Sequence, residues 1–500
     1  MTPTLRSLRR CFEGAVPATI ATCAADGMPN VAKLSHVHFV DDEHVALSYQ
    51  FFNKTRENIL HNHRATVEVV DPVSAAHFCL QVEYLRTETA GPLFAYMKAR
   101  LAAIASHSGM SKVFRLLGSD IYRVLNVEAV SDDVDAEIPS RANLLSGLRA
   151  CQADLAGCAD LARLVDTMLE GLERHWDIRH SMLLMADPDG RRLYTVASRG
   201  YAESGVGSEV CMGEGIVGVA AAERTPIRIG YAVQEYRYSQ ATRLGFAASV
   251  DGDALETEIP FPGLAEAGSQ LAVPLLLGGR LSGVLLVESA EEQRFTFEDE
   301  DALVVLAGQL AMCIDYLSRS ADLPAEPAAP ASGSRSAGAS HGAPVLIRHF
   351  PADHSVFVDN DYLIKGVAGA IIWKLLREHV DAGRTEFTNR ELRLDTTLGL
   401  PDITDNLDAR LILLQRRLAE RCSFIAIEKT GRGRFRLNVD RPLQLSVAAA
   451  RCPGAPPQAS ARTRRHAGRD AGRPSLREAA RCALQRFAMK AMRLHGLAEG

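Results

Sequence analysis

The spacing of apolar and polar positions divides the chain into three segments. Residues 15–130 show short apolar runs between Asp-Gly, Asp-Asp and Asp-Pro turns, which is typical of strands. Residues 141–318 mix long helical patterns with strands, and residues 345–440 give helices and then a glycine hairpin. The predicted strands cover 16–23, 30–40, 44–49, 65–70, 79–86, 181–185, 192–199, 271–277 and 281–288. The predicted helices cover 91–106, 144–173, 297–317, 366–379 and 402–421, with a short one near Thr388.

Length and local composition give the domain boundaries. A chain of 500 residues is too long for one core and predicts about three domains. A stretch rich in Pro, Ala, Ser and Gly at 321–343 predicts a flexible linker, and 448–474 is of low complexity. We therefore predict domains at 10–130, 141–319 and 345–441, a linker at 320–344, and a basic tail at 448–500.

Charge is unevenly distributed. The net charge is -5, but residues 451–500 hold eleven Lys or Arg against three acidic residues, a balance of +8. A basic tail on an acidic body predicts an anionic partner or self-association. No apolar core follows the basic N-terminus, and no run approaches the roughly 18 apolar residues of a membrane span. We expect a cytoplasmic protein with no membrane span.

Cysteine and histidine positions do not predict a metal site. The ten cysteines form no C-x-x-C pair, so they are interpreted as reduced thiols that mostly fill core positions. His36-x-His38 and His61-x-His63 would each place two rings on one face of a strand, as metal or haem ligands require. No Cys, Asp or Glu is spaced to complete either set. We therefore predict solvated histidines and no bound metal.

A phosphate site is predicted where a strand ending at Tyr49 gives way to a helix beginning near Thr55. Free backbone N–H groups and the positive end of a helix suit a phosphate there. Lys54 and Arg56 add charge, and Asn53, Thr55 and Asn58 add hydrogen-bond donors.

Together with Asp26-Gly-Met-Pro-Asn30-Val-Ala-Lys33, this segment resembles the pyridoxamine-5'-phosphate-oxidase-like FMN-binding split barrel. The resemblance implies a homodimer in which the first of these strands lies along the flavin ring and the Ser48 strand and Lys54 turn hold the phosphate. Haem, or a barrel without ligand, remain alternatives. The sequence departs from the family at His63, where the family has proline, and in the insertion 91–110. The cofactor-binding residues implied for FMN are Asn30, Lys33, Ser48, Asn53, Lys54, Thr55 and Asn58.

The second segment carries glycine motifs in a characteristic order. Gly213-Glu-Gly-Ile-Val-Gly218 predicts a tight turn into a helix with close helix–sheet packing. It lacks the preceding strand and following acidic residue of a dinucleotide site. With the Gly278-Gly-Arg turn and Phe295-x-Phe-Glu-Asp299, it resembles a GAF domain, an α/β fold that binds small ligands. The identity of the ligand would be set at 231–262. Cys211 is interpreted as a packing residue rather than a redox target.

The third segment resembles the winged-helix effector domain of response regulators. Its capping box at Thr388, the leucine stripe of helix 402–421 and the Gly431-x-Gly433 hairpin follow the order of that α+β fold. The resemblance implies that the long helix enters the major groove of DNA and that the hairpin touches the backbone; protein docking is the alternative. The implied DNA-binding residues are Asn406, Arg410, Arg416, Arg417, Lys429, Arg432 and Arg434.

A further capping box at Ser475 starts a basic amphipathic pattern in the tail, which suits DNA, a membrane surface or a partner protein. The predicted architecture is thus multidomain: a β split barrel, an α/β GAF domain, and a winged-helix domain with a basic tail. It predicts a sensor-regulator in which flavin or small-molecule sensing biases DNA binding. The alternatives are a flavin-dependent oxidoreductase with regulatory domains and a scaffold with empty pockets. Whether the protein is an enzyme stays open at this point.

Overall fold

The structure is a computed structural model that describes residues 3–12, 16–34, 36–50, 54–72, 74–107, 116–130, 143–230, 259–321, 343–398 and 407–447. They all belong to one compact unit that ends at Ala450. We call residues 3–130 the first domain, 143–321 the second and 343–447 the third. Most of the predicted linker (322–342) and the whole basic tail lie outside the described residues.

The first domain is built on a seven-stranded antiparallel sheet in the order β2-β1-β5-β6-β7-β4-β3. Its strands are β1 (Ala18–Cys23), β2 (Pro29–Leu34), β3 (Val37–Phe39), β4 (His44–Tyr49), β5 (Arg64–Val70), β6 (His77–Glu88) and β7 (Gly118–Ala129). A 3-10 helix (Leu5–Phe12), α1 (Lys54–His61) and α2 (Pro92–His107) complete it. The predicted strands and the helical insertion are confirmed, but β7 was missed and the predicted strand 30–40 is two strands.

The second domain is a six-stranded sheet, ordered β10-β9-β8-β13-β12-β11, with helices on both faces. The strands are β8 (His180–Ala186), β9 (Arg192–Arg199), β10 (Glu209–Cys211), β11 (Ile227–Ile229), β12 (Ser269–Leu277) and β13 (Arg280–Ser289). The helices are α3 (Leu144–Ala156), α4 (Leu161–Trp176), α5 (Gly215–Glu223) and α6 (Phe297–Ala321). The helix predicted at 144–173 is two helices, because the Asp160 side chain caps a new helix by accepting from the Arg163 N–H.

The glycine motif before α5 forms the tight turn that the sequence predicts. Gly213 and Gly215 have φ values of +83° and +61°, which L residues with side chains rarely adopt. An added Cβ at Gly218 would lie 2.2 Å from the carbonyl oxygen of Cys211. The motif therefore serves a tight turn and close packing.

Helix α6 corrects the expectation that no segment could span a membrane. Its Phe297–Ser320 stretch has a mean hydropathy of 1.4 and is long enough to cross one. Leu303, Leu306 and Leu310 are nevertheless fully buried and pack in the core of the second domain. Packing in the core accounts for the apolar residues of that face, whereas Val304, Val305 and Met312 on other parts of the helix are exposed.

The third domain has two small sheets around a group of helices. The first sheet, ordered β16-β15-β14-β20, joins β14 (Val345–Phe350), β15 (Ser355–Val358), β16 (Asp361–Ile364) and β20 (Leu443–Val447). The second, ordered β17-β19-β18, joins β17 (Glu386–Thr388), β18 (Ile425–Gly431) and β19 (Arg434–Val439). The helices are α7 (Gly366–Ala382), α8 (Asn389–Leu394) and α9 (Leu407–Arg421). The predicted capping box of Thr388 and Glu391 is confirmed, as are the long helices and the hairpin.

The domains pack on one another. Helix α2 of the first domain lies on α5 and β11 of the second. The buried side chains of the second domain that face α3, α4 and α6 form one continuous core with those of the third domain. The second and third domains are therefore joined by a shared apolar core.

Candidate functional site

The predicted phosphate corner lies at a cavity of about 120 Å³ in the first domain. Three residues implied for cofactor binding line it: Lys33 from β2, Ser48 from β4 and Thr55 from α1. They come together because β1 pairs with β2 while α1 packs against both strands. Lys33 is exposed, and its Nζ donates to Thr19 Oγ1 at 2.9 Å. The structure thus places a cation and two hydroxyls around one cavity, whose other lining residues include the apolar Ile20, Leu47 and Ile59.

Asn30 and Asn58 lie beside this cavity and hydrogen-bond to residues of the elements that form it. The Asn30 amide donates to Thr55 Oγ1 at 2.9 Å, and the buried Asn58 amide donates to Thr22 Oγ1 at 3.1 Å. Neither residue lines the cavity. Since both bonds tie α1 to β1 and β2, we assign these two residues a positioning role.

Lys54 does not line the cavity. It is the first residue of α1, its side chain is 57% exposed, and its Nζ lies 3.8 Å from Glu57 Oε2. Asn53 lies outside the described residues. The helix predicted to begin near Thr55 begins one residue earlier, at Lys54. The lysine at this cavity is Lys33.

Arg56 and Asp120 form the other charged part of the cavity wall. The Arg56 guanidinium forms an ion pair with the Asp120 carboxylate and donates to Thr87 Oγ1 at 2.8 Å. It also lies over the Tyr49 ring, 4.5 Å from the centroid. Asp120 could not be found from the sequence because β7, which carries it, was not predicted.

Gln50 supports binding of a ligand in this cavity. It lines the cavity, is 8% exposed, and its Oε1 atom accepts no hydrogen bond from any described residue. A buried acceptor without a donor is costly, so such atoms are usually satisfied by a ligand or water. Lys33, Ser48 and Thr55 can donate to a phosphate, whereas the Gln50 carbonyl oxygen can only accept and requires a hydroxyl or N–H donor. Small-molecule sites are commonly about 300–1,000 Å³, so a cavity of about 120 Å³ is below that range.

The second domain holds a buried carboxylate on one face of its sheet. Glu288 is 3% exposed and accepts hydrogen bonds from Gln270 Nε2 (2.5 Å), the Tyr201 hydroxyl (2.8 Å) and the Leu264 N–H (3.3 Å). His180 and Gln270 are its direct neighbours on β8 and β12, so their side chains point to the same face. Burial raises the pKa of Glu288 above its ordinary value.

This cluster borders the segment predicted to set ligand identity. Residues 231–258 lie outside the described residues, but Leu264, just after that segment, is held by Glu288. Gln270 Oε1 is buried and accepts no hydrogen bond from the described residues. Glu288 and Gln270 were not predicted as site residues, because they lie within apolar strands. A charged residue in such a strand was the one signal that could have indicated a buried polar site.

Two interpretations of single residues are corrected. Cys211, interpreted as a packing residue, is exposed on the edge strand β10.

His36 and His38, predicted to be solvated, lie at the junction of the first and second domains. His36 is 4% exposed, and the His38 ring lies 4.9 Å from that of Tyr96. Among the residues that the structure describes, no group of three or more His, Cys, Asp or Glu could hold a metal ion.

The buried histidines predict acid sensitivity. Burial, with added repulsion from Arg100 and Arg9, lowers the pKa of His38 from 6.5 to about 4. Below pH 6.5 the unfolded chain therefore takes up a proton that the folded chain refuses, and stability falls as the pH drops toward 4. This one residue should lower the free energy of unfolding by about 2 kcal/mol between pH 7.5 and pH 5.

Urea unfolding at both pH values checks this expectation. His38→Gln should weaken the pH dependence by the contribution of this residue and leave that of the buried His36. His61→Gln, at an exposed position on α1, should leave the pH dependence unchanged. An equal pH dependence in the wild type and His38→Gln would contradict it.

Three arginines of the long helix α9 that were implied to bind DNA are engaged by other parts of the protein. Arg410 is 6% exposed, donates to Asp187 Oδ1 at 2.6 Å and lies over the Tyr194 ring at 3.8 Å. Arg416 donates to Asp166 Oδ1 at 2.6 Å, and both of these acidic residues belong to the second domain. Here the structure departs from the predicted DNA contacts of α9: the helix is covered by the second domain.

The Arg417 guanidinium is also bound to acceptors within the protein. The residue is 5% exposed, and its Nε donates to the Leu363 carbonyl at 2.9 Å within the third domain. Contact of Arg410, Arg416 or Arg417 with DNA would require α9 to leave these partners. Asn406 lies outside the described residues.

The hairpin residues Lys429, Arg432 and Arg434 are exposed and line a cleft of about 560 Å³ between the β18–β19 hairpin and the second domain. The opposite side of the cleft is formed by the α3–α4 turn and the end of α6. The structure thus divides the predicted DNA-binding residues into a buried set on α9 and an exposed set on the hairpin.

Comparison with known proteins identifies two of the three domains. Residues 5–127 match the family model described as Pyridoxamine 5'-phosphate oxidase, and residues 158–315 match the model described as GAF domain. The chain therefore carries a split barrel of the pyridoxamine-phosphate-oxidase type followed by a GAF domain, as predicted. Neither match reaches the third domain, whose winged-helix assignment stays a prediction. No curated protein matches the chain.

Solved structures are similar over single domains. An FMN-binding protein from Syntrophomonas wolfei subsp. wolfei is 20% identical, over 25% of this chain and 84% of its own, with a TM-score of 0.22. The GAF domain from an Acinetobacter phosphoenolpyruvate-protein phosphotransferase is 22% identical, over 36% and 97%, with a TM-score of 0.29. Free methionine-R-sulfoxide reductase from Neisseria meningitidis, in complex with its substrate, is 19% identical, over 35% and 90%, with a TM-score of 0.27.

Proposed function

We propose that the protein is a cytoplasmic sensor-regulator whose split barrel binds FMN or a related phosphorylated flavin. The observation that carries this proposal is the cavity where Lys33, Ser48 and Thr55 meet beside the buried Gln50 carbonyl oxygen. A cation and hydroxyl donors suit a phosphate. When bound, FMN supplies a reversible electron acceptor.

A second subunit would complete the site. The cavity of about 120 Å³ in one chain is smaller than the small-molecule range, and Lys33 on its wall is exposed. We propose a homodimer in which the partner chain covers the rest of the flavin, as the family resemblance implies.

The GAF domain is proposed to bind a second small ligand at Glu288. The carboxylate and the Gln270 carbonyl oxygen are both acceptors on one face of the sheet, so they suit a ligand that carries N–H donors. Glu288 is already held by three donors, which fixes its orientation before a ligand arrives.

The third domain is proposed as the output, with DNA binding as its candidate activity. Support comes from the order of its elements, in which α7, β17, α8 and α9 precede the hairpin. Asp187 and Asp166 of the GAF domain form ion pairs with α9, so DNA binding by this helix would require their release. In this proposal, a ligand-dependent change in the GAF domain shifts the balance between the paired and the released helix.

The rival proposal is a flavin-dependent oxidoreductase. The purified protein mixed with FMN and a reduced nicotinamide separates the two: the sensor predicts a flavin spectrum with turnover no faster than that of free FMN. Rapid, saturable oxidation of the nicotinamide would favour the enzyme, and failure to bind added FMN would favour a scaffold with an empty barrel.

A further inference from the structure

We propose that the cleft between the β18–β19 hairpin and the GAF domain binds a small organic anion with an apolar body. We call it the hairpin cleft. Its volume of about 560 Å³ falls within the range of small-molecule sites, and it is larger than the barrel cavity. The inference stands on the residues of this cleft and does not depend on flavin or DNA binding.

One wall of the hairpin cleft is cationic. Lys429, Arg432 and Arg434 line it, and among the described residues none of the three forms an ion pair or a side-chain hydrogen bond. Arg410, Arg416 and Arg417 of α9, by contrast, are each held by an acceptor. Three like charges along one cleft raise its positive potential together. Guanidinium groups also match the geometry of carboxylates, sulfonates and phosphates.

The floor and rim are apolar. Leu411, Ile412 and Phe435 line the floor, each buried to 6% exposure or less. At the rim, the Tyr316 ring at the end of α6 is 69% exposed. A ligand that places an aromatic or aliphatic body on this surface and a charged group at the hairpin would satisfy both walls.

The acidic residues of the cleft are already engaged. Asp160 caps α4 by accepting from the Arg163 N–H at 2.9 Å, and Asp408 accepts from Asn389 Nδ2 at 3.0 Å. Asp408 lies close to the hairpin, because Asn389, which donates to it, also donates its backbone N–H to the Gly433 carbonyl. The three cations of the hairpin outnumber this one carboxylate, so the hairpin end of the cleft is the place for the anionic group of a ligand.

The shape of the site favours a small molecule over nucleic acid. The cations of the hairpin face a wall made by the α3–α4 turn and α6 of the GAF domain, rather than open solvent alone. A DNA duplex is a rigid cylinder that cannot enter a space of this size. A small ligand would contact both domains at once and so stabilise their docking.

Titration of the full-length protein with 8-anilinonaphthalene-1-sulfonate, an aromatic sulfonate, tests the proposal. Fluorescence should show saturable binding that the double variant Arg432→Ala, Arg434→Ala weakens at least tenfold. The matched control is Arg377→Ala with Arg390→Ala, which removes the same charge at two exposed arginines of the third domain outside the cleft. It should change the affinity less than twofold.

Two further measurements locate the probe. Ala162→Trp fills the cleft from α4 and should abolish binding, with unchanged thermal unfolding as the check on folding. Hydrogen exchange with the bound sulfonate should slow at both 425–435 and 158–164, because the ligand touches both walls. Absence of binding, equal affinity in the arginine double variant, or protection of one wall alone would overturn the proposal. Displacement of the probe by duplex DNA in an Arg432- and Arg434-dependent manner would assign the cleft to nucleic acid and overturn it as well.

Discussion

Asp187→Asn should lower the stability of the docked GAF and third domains by about 3 kcal/mol, since it removes a carboxylate from a buried guanidinium. The side chain of Arg410 is 7% exposed, that of Asp187 is 31% exposed, and their ion pair joins α9 to the GAF domain. Breaking a buried pair by removing one partner typically costs about 3–5 kcal/mol. The partial exposure of Asp187, and the burial that raises the pKa of its carboxyl despite Arg410, both favour the lower end. Urea unfolding monitored by circular dichroism measures the change.

Asp166→Asn is the matched control. It removes the same charge from the partner of Arg416, also between the GAF domain and α9, but there the acidic side chain is 59% exposed. Exposed pairs contribute about 1 kcal/mol or less. Equal effects of the two substitutions would show that Arg410 does not anchor the third domain.

Lys33→Met should weaken FMN binding by about ten- to a hundredfold. The substitution removes a cation from the cavity wall but keeps an unbranched side chain of similar length. Hydrogen bonds to charged groups contribute about 1.5–3 kcal/mol, which corresponds to this range of affinities. Quenching of flavin fluorescence during titration measures the dissociation constant.

Lys54→Met distinguishes the structure from the sequence-based prediction. Lys54 lies outside the cavity, so its loss should change FMN affinity less than threefold. If Lys54→Met is the more damaging substitution, the phosphate is bound at the turn before α1, as the family resemblance implies, rather than between β2 and α1.

Local patterns predicted most elements of the fold, and the misses have a physical reason. Strand β15 is buried at all four positions, so it shows no alternation of polar and apolar residues. Strand β7 is paired on both sides, with β4 and β6, and these pairings with distant parts of the chain determine its position. Patterns within a short window carry no information about such partners.

The barrel site was predictable only in part for the same reason. Ser48 and Thr55 flank a strand-to-helix corner, which is a local feature of the sequence. Asp120 reaches the cavity through the pairing of β7 with β4, which the local sequence does not indicate. The role of Gln50 could not be predicted, because the sequence does not show that its carbonyl oxygen is buried. The corner was therefore predicted, but its charged partner was not.

Helix α9 shows the limit of an amphipathic pattern. Its leucine stripe is buried as predicted, with Leu407 and Leu414 fully inaccessible. The face with Arg410 was interpreted as exposed, yet it is covered by the GAF domain. A helix between two domains buries both faces, and arginine can line the second when an acidic partner is present. The sequence of the helix alone does not contain that partner.

Comparison of FMN with riboflavin tests the central claim most directly, since the two ligands differ by the phosphate alone. The account predicts that the full-length protein binds FMN at least tenfold more tightly than riboflavin, because the polar wall of the barrel contacts a phosphoryl group. Equal affinity for the two, or no binding of either, would contradict it.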